Sequence, residues 1–203
     1  FGQNIADFVS VNPTAQTTNF IFPNLTHRFQ KIIEHGDVLP VGTMQDNFDF
    51  TGYMPIASSS VDGHLSINHE QIPGGVTAMN VSYNISNKLW QKNGAVALDF
   101  AAFGGTARNC SGGLTAWGNI ITCEETSSAD LNGDGYFDLG WHVETNPATK
   151  TVVRKLWAMG NGAKENIVIH SNRRTAYFGN DLATGYLYKF VANTADDLSS
   201  GTL

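Results

Sequence analysis

The sequence predicts an all-β fold, a β-propeller of which this chain encodes about three to four blades, and three observations predict it. Helix-period patterns are scarce. Short runs of Val, Ile, Phe, Tyr and Trp alternate with polar residues between Gly, Asn and Pro punctuation. One strand-like segment also recurs at a nearly fixed interval.

Taken in chain order, residues 24–34 fit an amphipathic helix, although Phe29, Ile32 and Ile33 fit a strand nearly as well. Residues 95–100, 118–122, 151–157, 167–170 and 185–191 read as strands, each bounded by turn residues. The repeat comprises G-H-L-S-I-N-H-E at 63–70, G-N-I-I-T-C-E-E at 118–125 and R-T-A-Y-F-G-N-D at 174–181. Each is a turn residue, a short strand and an acidic side chain at its end. Those ends, Glu70, Glu125 and Asp181, stand 55 and 56 residues apart, a period that suits a four-stranded blade with long loops. Equivalent strands of a propeller converge on its axis. Three carboxylates are therefore expected near one another, where like charges are costly unless cations neutralise them.

The chain opens on Phe1 without a charged-then-apolar leader. Its last residues, S-S-G-T-L at 199–203, read as a turn giving way to the start of a strand. The expectation is one propeller domain over 1–203 that belongs to a longer protein. A net charge of −6 disfavours nucleic acid or anionic membrane as partners and suits divalent cations. No apolar run is long enough to insert into a bilayer.

D-L-N-G-D-G-Y-F-D at 130–138 places Asp130, Asn132, Asp134 and Asp138 at oxygen-ligand positions of a calcium loop, with Gly135 at the sharp turn. Trp141 stands where an EF-hand has its closing Glu, so Glu144 or water would have to close the site. The competing reading is a hairpin in which these side chains bond their own backbone. Both cysteines fall in the run from Asn109 to Thr126. Cys123 shares a strand face with Ile121 and reads as a buried apolar residue. Cys110, between R-N and S-G-G, reads as a thiol in an exposed turn. With Glu124 or Glu125 alongside, it would form a mixed soft and hard ligand set that suits iron. Glu165 and Glu70 are further acidic candidates. No nucleophile elbow, phosphate-cradling Gly loop or zinc-spaced His pair is present. Asn-x-Ser/Thr sequons begin at Asn24, Asn80, Asn84 and Asn109.

Several stretches together resemble one family. They are I-N-H-E ending at Glu70; N-C-S-G-G, T-A-W-G and T-C-E-E between 109 and 125; and E-T-N-P-A-T at 144–149 leading into K-L-W-A-M-G at 155–160. K-E-N at 164–166 and Y-F-G-N-D through G-Y-L-Y-K-F at 177–190 complete the set. The chain is similar in these to the PhoX-type calcium-dependent alkaline phosphatases. The resemblance implies a propeller with a central ferric iron and calcium site hydrolysing phosphomonoesters outside the cytoplasm, periplasmic or secreted. It also implies iron ligation by Cys110 and metal ligation by Glu125 and Glu165, with further ligands beyond Leu203. Lys164 stands where the family pattern has His. Phosphate recognition needs cations, and Arg108 and Lys164, with Arg173 and Arg174, are the available ones. The small-molecule phosphoester is the expected partner, and no partner protein is indicated. The alternatives are a non-catalytic, calcium-stabilised secreted propeller and an unrelated disulfide-stapled domain.

Overall fold

The structure, a computed structural model, describes residues 29–203. Phe1–Lys31 and Ile32–Leu203 separate as two compact units, and the second carries all the regular structure among the described residues. Residues 29–34 are irregular, so the helix or strand expected at 24–34 is not formed there, and 24–28 lie outside the described residues.

Three four-stranded antiparallel sheets follow one another along the chain. The first comprises β1 (Phe48–Pro55), β2 (Asp62–His69), β3 (Gly75–Asn84) and β4 (Leu89–Ala97). The second comprises β5 (Asn109–Leu114), β6 (Ile120–Glu124), β7 (His142–Asn146) and β8 (Thr151–Lys155). The third comprises β9 (Val168–Ile169), β10 (Thr175–Gly179), β11 (Leu187–Thr194) and β12 (Asp197–Thr202). Each sheet is a simple meander in chain order. Neighbouring sheets meet through their first strands, β1 packing on β5 and β5 on β9. These are three blades of a propeller, with β1, β5 and β9 innermost. The three repeated segments are the second strand of each blade, β2, β6 and β10.

Blades bury both faces, so their strands carry two apolar patterns at once. On β3, Val76 and Ala78 join Leu98, Phe100 and Val143 between the first and second sheets. Met79 and Val81 pack instead with Leu39, Met44, Ile67 and Ala95 on the opposite face. On β6, Ile121 and Cys123 face the third sheet, packing with Leu156, Met159, Ile167 and Phe178. Cys123 is thus a core residue, and both cysteines are free thiols. The disulfide reading is thereby set aside.

Alternation sends Glu124 to the other face of β6. There it is fully buried, its Oε1 accepting from Thr106 Oγ1 at 2.7 Å and pairing with Lys155 Nζ at 3.1 Å. Its Oε2 accepts from the backbone N–H of Gly140 and Trp141 at 2.8 and 3.0 Å. Burial nonetheless raises its pKa, opposed by the Lys155 charge. Lys155 also donates to the carbonyls of Gly105 and Asp138, so one buried ion pair ties two loops to the second blade.

The C-terminal expectation needs correction. Residues 199–203 do not open a strand, because 197–202 already pair with β11, and Leu198 is buried in the core between blades. The hairpin turn lies earlier, where Asp196 takes a left-handed φ of 64°.

Two predictions follow from this packing. Lys155→Met strands the Glu124 carboxylate and is expected to destabilise the protein by about 3–5 kcal/mol in urea unfolding. The double variant with Glu124→Gln should recover part of that loss. His142, fully buried with its ring edge-on to Phe178 at 4.5 Å, has its pKa lowered to about 3 by burial and the nearby Lys164 charge. The unfolded chain takes up that proton near the ordinary 6.5. Stability should therefore fall as pH drops from about 6.5 towards 3, by an amount on the order of a few kcal/mol. Unfolding measured across that range should lose most of this slope in His142→Phe.

Candidate metal centre

Antiparallel pairing puts the start of each first strand beside the end of each second strand: Phe48 pairs with His69, and Asn109 with Glu124. Three first-strand positions, Asp49 on β1, Cys110 on β5 and Glu165 just before β9, thus lie at the same end of the blades as Glu70, Glu125 and Asp181, which follow the second strands. The Cys110 sulfur is 3.6 Å from Asp49 Oδ2 and 3.8 Å from Glu165 Oε1. Ligand atoms of Asp49, Glu70 and Cys110 fall within 4.8 Å of one another, as do those of Cys110, Glu125 and Glu165. Asp181 lies next to Glu125, whose carboxyl pKa it helps to raise.

The sequence places Cys110 there by a bulge and a squeeze. Asn109 pairs with Glu124 and Gly112 with Thr122, so Cys110 and Ser111 together oppose the single residue Cys123. Beyond the bulge, a Cβ on Gly112 would come 2.3 Å from the Ile121 carbonyl, and one on Gly113 would come 2.6 Å from that of Ile167. Only glycine fits an innermost strand pressed this closely between its neighbours. Cys110 is accordingly buried, at 5% exposure, in β5 and not in an exposed turn as its Ser-Gly-Gly neighbourhood indicates. Its thiol is pushed strongly upward, first by burial and then by the charges of Asp49 and Glu165, while the Ser111 N–H bonded to it acts the other way. The Glu125 carboxyl is also raised, first by desolvation, then by the neighbouring Asp181 carboxyl and by the charges of Glu165 and Glu70.

The comparisons with known proteins bear on this arrangement. The family described as alkaline phosphatase PhoX matches residues 93–201, more than half of the chain. The chain belongs to the PhoX family. Among solved structures it is similar to Pseudomonas fluorescens PhoX in complex with vanadate, a transition state analogue, with a TM-score of 0.58 and 19% sequence identity. That similarity covers 77% of this chain and 44% of that one, so the chain spans less than half the length of its solved relative. No curated protein matches the chain.

Within this PhoX framework, Glu70, Cys110, Glu125, Glu165 and Asp181 come together, and Asp49 joins them without having been singled out in the sequence. The signal for Asp49 was its place at the start of the first strand, one repeat before Cys110. Glu124 does not join, because its oxygens are already taken by Thr106, Lys155, Gly140 and Trp141. The loop expected to hold calcium bonds its own backbone. Asp130 accepts from Gly133 and Gly135 N–H, Asn132 from Asp134, Asp134 from Tyr136, and Asp138 from Leu131. The oxygens cap the loop's own backbone, which also lowers the Asp130 pKa, and Asp130, Asp134 and Asp138 do not converge. Glu144 cannot close that loop: it is buried on β7, accepting from Trp117 Nε1 and Asn119 Nδ2, both at 2.7 Å.

The cations separate as clearly. Lys164 is a buried wedge between the second and third blades, its Nζ 4.9 Å from the Phe178 ring centroid and 5.5 Å from that of Tyr188. Burial lowers its pKa to about 8, so it is not the open phosphate-binding cation expected. Arg173 pairs with Asp196, and Arg174 donates to the carbonyls of Ala192 and Asn193. Both precede β10 at the end away from Asp181, roughly 20 Å along the strand. Arg108 remains. Its side chain is exposed, while its backbone donates to Gln71 O at 2.8 Å and accepts from Glu125 N at 2.9 Å, between two of the acidic chain ends.

The crowding has a measurable sign. In chelator, Asp49→Asn removes one repelling charge and should raise the melting temperature of the intact protein by a few degrees. In saturating calcium the same variant should melt below the wild type, because a cation loses a partner. Differential scanning calorimetry in the two buffers reads both.

Proposed function

We propose that the intact protein is a PhoX-like, metal-dependent phosphatase that hydrolyses small-molecule phosphomonoesters at the centre built around Cys110. The observation that supports this reading most strongly is the convergence of five carboxylates and one thiol from three blades at one end of a PhoX-family fold. The donor set fits two kinds of cation. A thiolate among carboxylates suits ferric iron, held by Cys110, Glu125 and Glu165, and all-oxygen partners such as Asp49, Glu70 and Asp181 suit calcium.

Bound cations would supply Lewis acidity towards the phosphoryl oxygens. The chain's own residues do the rest. Arg108, exposed and with its backbone bonded between Gln71 and Glu125, is the candidate to fork onto two phosphate oxygens. Burial of Cys110 keeps water from its sulfur. The same reading places the protein outside the cytoplasm, periplasmic or secreted. The 203-residue piece alone is not expected to turn over.

Hydrolysis of p-nitrophenyl phosphate by the intact protein, lost on chelation and restored by calcium, tests the proposal. Cys110→Ala should lose iron and at least about 100-fold in rate, and Arg108→Ala should raise KM more than it lowers kcat. Full metal loading without turnover of any phosphoester would overturn it and leave a cation-stabilised binding propeller instead.

A further inference from the structure

Asn68 is fully buried on β2, two residues before Glu70, and its side chain reaches across to the neighbouring blade. Its amide nitrogen donates to the carbonyl of Cys110 at 2.6 Å and to that of Ser111 at 3.1 Å. Both partners are acceptors, so the NH2 group, and not the oxygen, must face them. The two carbonyls belong to the bulge residues of β5 opposite Cys123, where the ladder is broken. The Cys110 carbonyl and the Ser111 N–H also lie in one planar peptide and point to opposite sides of it. Asn68 grips the oxygen side of that plane and so fixes the direction of the whole bulge peptide.

We propose that Asn68 is a positioning residue for the Cys110 sulfur. By fixing the bulge peptide from the adjacent blade, it holds Sγ between Asp49 and Glu165. The clamp keeps the sulfur aimed towards a bound cation, as outer hydrogen bonds do for other ligand residues. The Asn68 oxygen, also buried, has no hydrogen-bond partner among the described residues. The nitrogen's two bonds are therefore the side chain's recognised contribution. The inference rests on Cys110 being a metal ligand, and the test separates the two claims.

The experiment is cobalt(II) titration of the metal-depleted intact protein, followed by the thiolate-to-metal absorption band, for wild type, Asn68→Ala, Cys110→Ala and the double variant. Asn68→Ala is expected to weaken cobalt binding by about 10- to 100-fold. The thiolate band should weaken as the sulfur loses its fixed position. In the Cys110→Ala background, Asn68→Ala should cost no further affinity, a coupling that a general loss of packing would not produce. Asn68→Ser, which keeps one donor, should fall between the two, and it replaces Asn68→Ala in the cycle if that variant does not fold. If Cys110→Ala abolishes the band while Asn68→Ala leaves band and affinity unchanged, the role of Asn68 is overturned and the metal centre stands. If Cys110→Ala changes neither, the metal-centre reading fails and this inference with it.

Discussion

Antiparallel pairing of the two inner strands in each blade is the constraint from which the site follows. A chain that starts its first strand at the axis must end its second strand beside that start. Any residue at either position is thus carried to the same end of the propeller, three times over. Asp49 with Glu70, Cys110 with Glu125, and Glu165 with Asp181 are the three instances. One pairing rule gathers six anionic or potentially anionic groups from residues up to 132 apart (49 to 181). Their mutual repulsion is built in by topology. A lysine that approaches them in sequence, Lys164, is instead buried against Phe178 and Tyr188.

The second blade shows how the fold keeps this charge separate from its own scaffolding. Successive residues on a strand face opposite ways, and the Glu124–Glu125 pair uses that alternation. Glu124 turns into the blade, where Lys155 and three protein donors hold it. Glu125 leaves the strand end and meets Asp181. Next to it, β5 gives up regular pairing at the bulge and gives up side chains at Gly112 and Gly113. Close packing of the innermost strand and exposure of its sulfur to two neighbouring carboxylates are consequences of the same irregularity.

Much of this was legible in the sequence because it was written in periodic terms. The spacing of Glu70, Glu125 and Asp181 located the second strand of every blade, and the shared face of Ile121 and Cys123 identified a core thiol. What escaped was non-local or conformational. Asp49 carries no motif, and only its pairing partner near Glu70 brings it into the centre. Glu124 looks like a surface charge until Lys155 and the loops around it cover it, and Lys164 until the third blade's rings do. Cys110 looks exposed because glycines follow it, yet those glycines are there to admit neighbouring backbone. The Asp-rich loop satisfied a ligand-spacing pattern, but spacing alone does not distinguish oxygens aimed at a common point from oxygens turned back on their own N–H groups. The family model matches residues 93–201, whereas in the first blade the sequence marked only the second strand, through the repeat at 63–70.

The central claim is that the Cys110 sulfur and the carboxylates around it share a bound cation. X-ray absorption at the iron edge of the iron-loaded intact protein tests it most directly. The account predicts a sulfur scatterer bonded to iron together with oxygen scatterers, and loss of the sulfur alone in Cys110→Ser. An iron environment of oxygen and nitrogen only in the wild type, unchanged by that substitution, would contradict it.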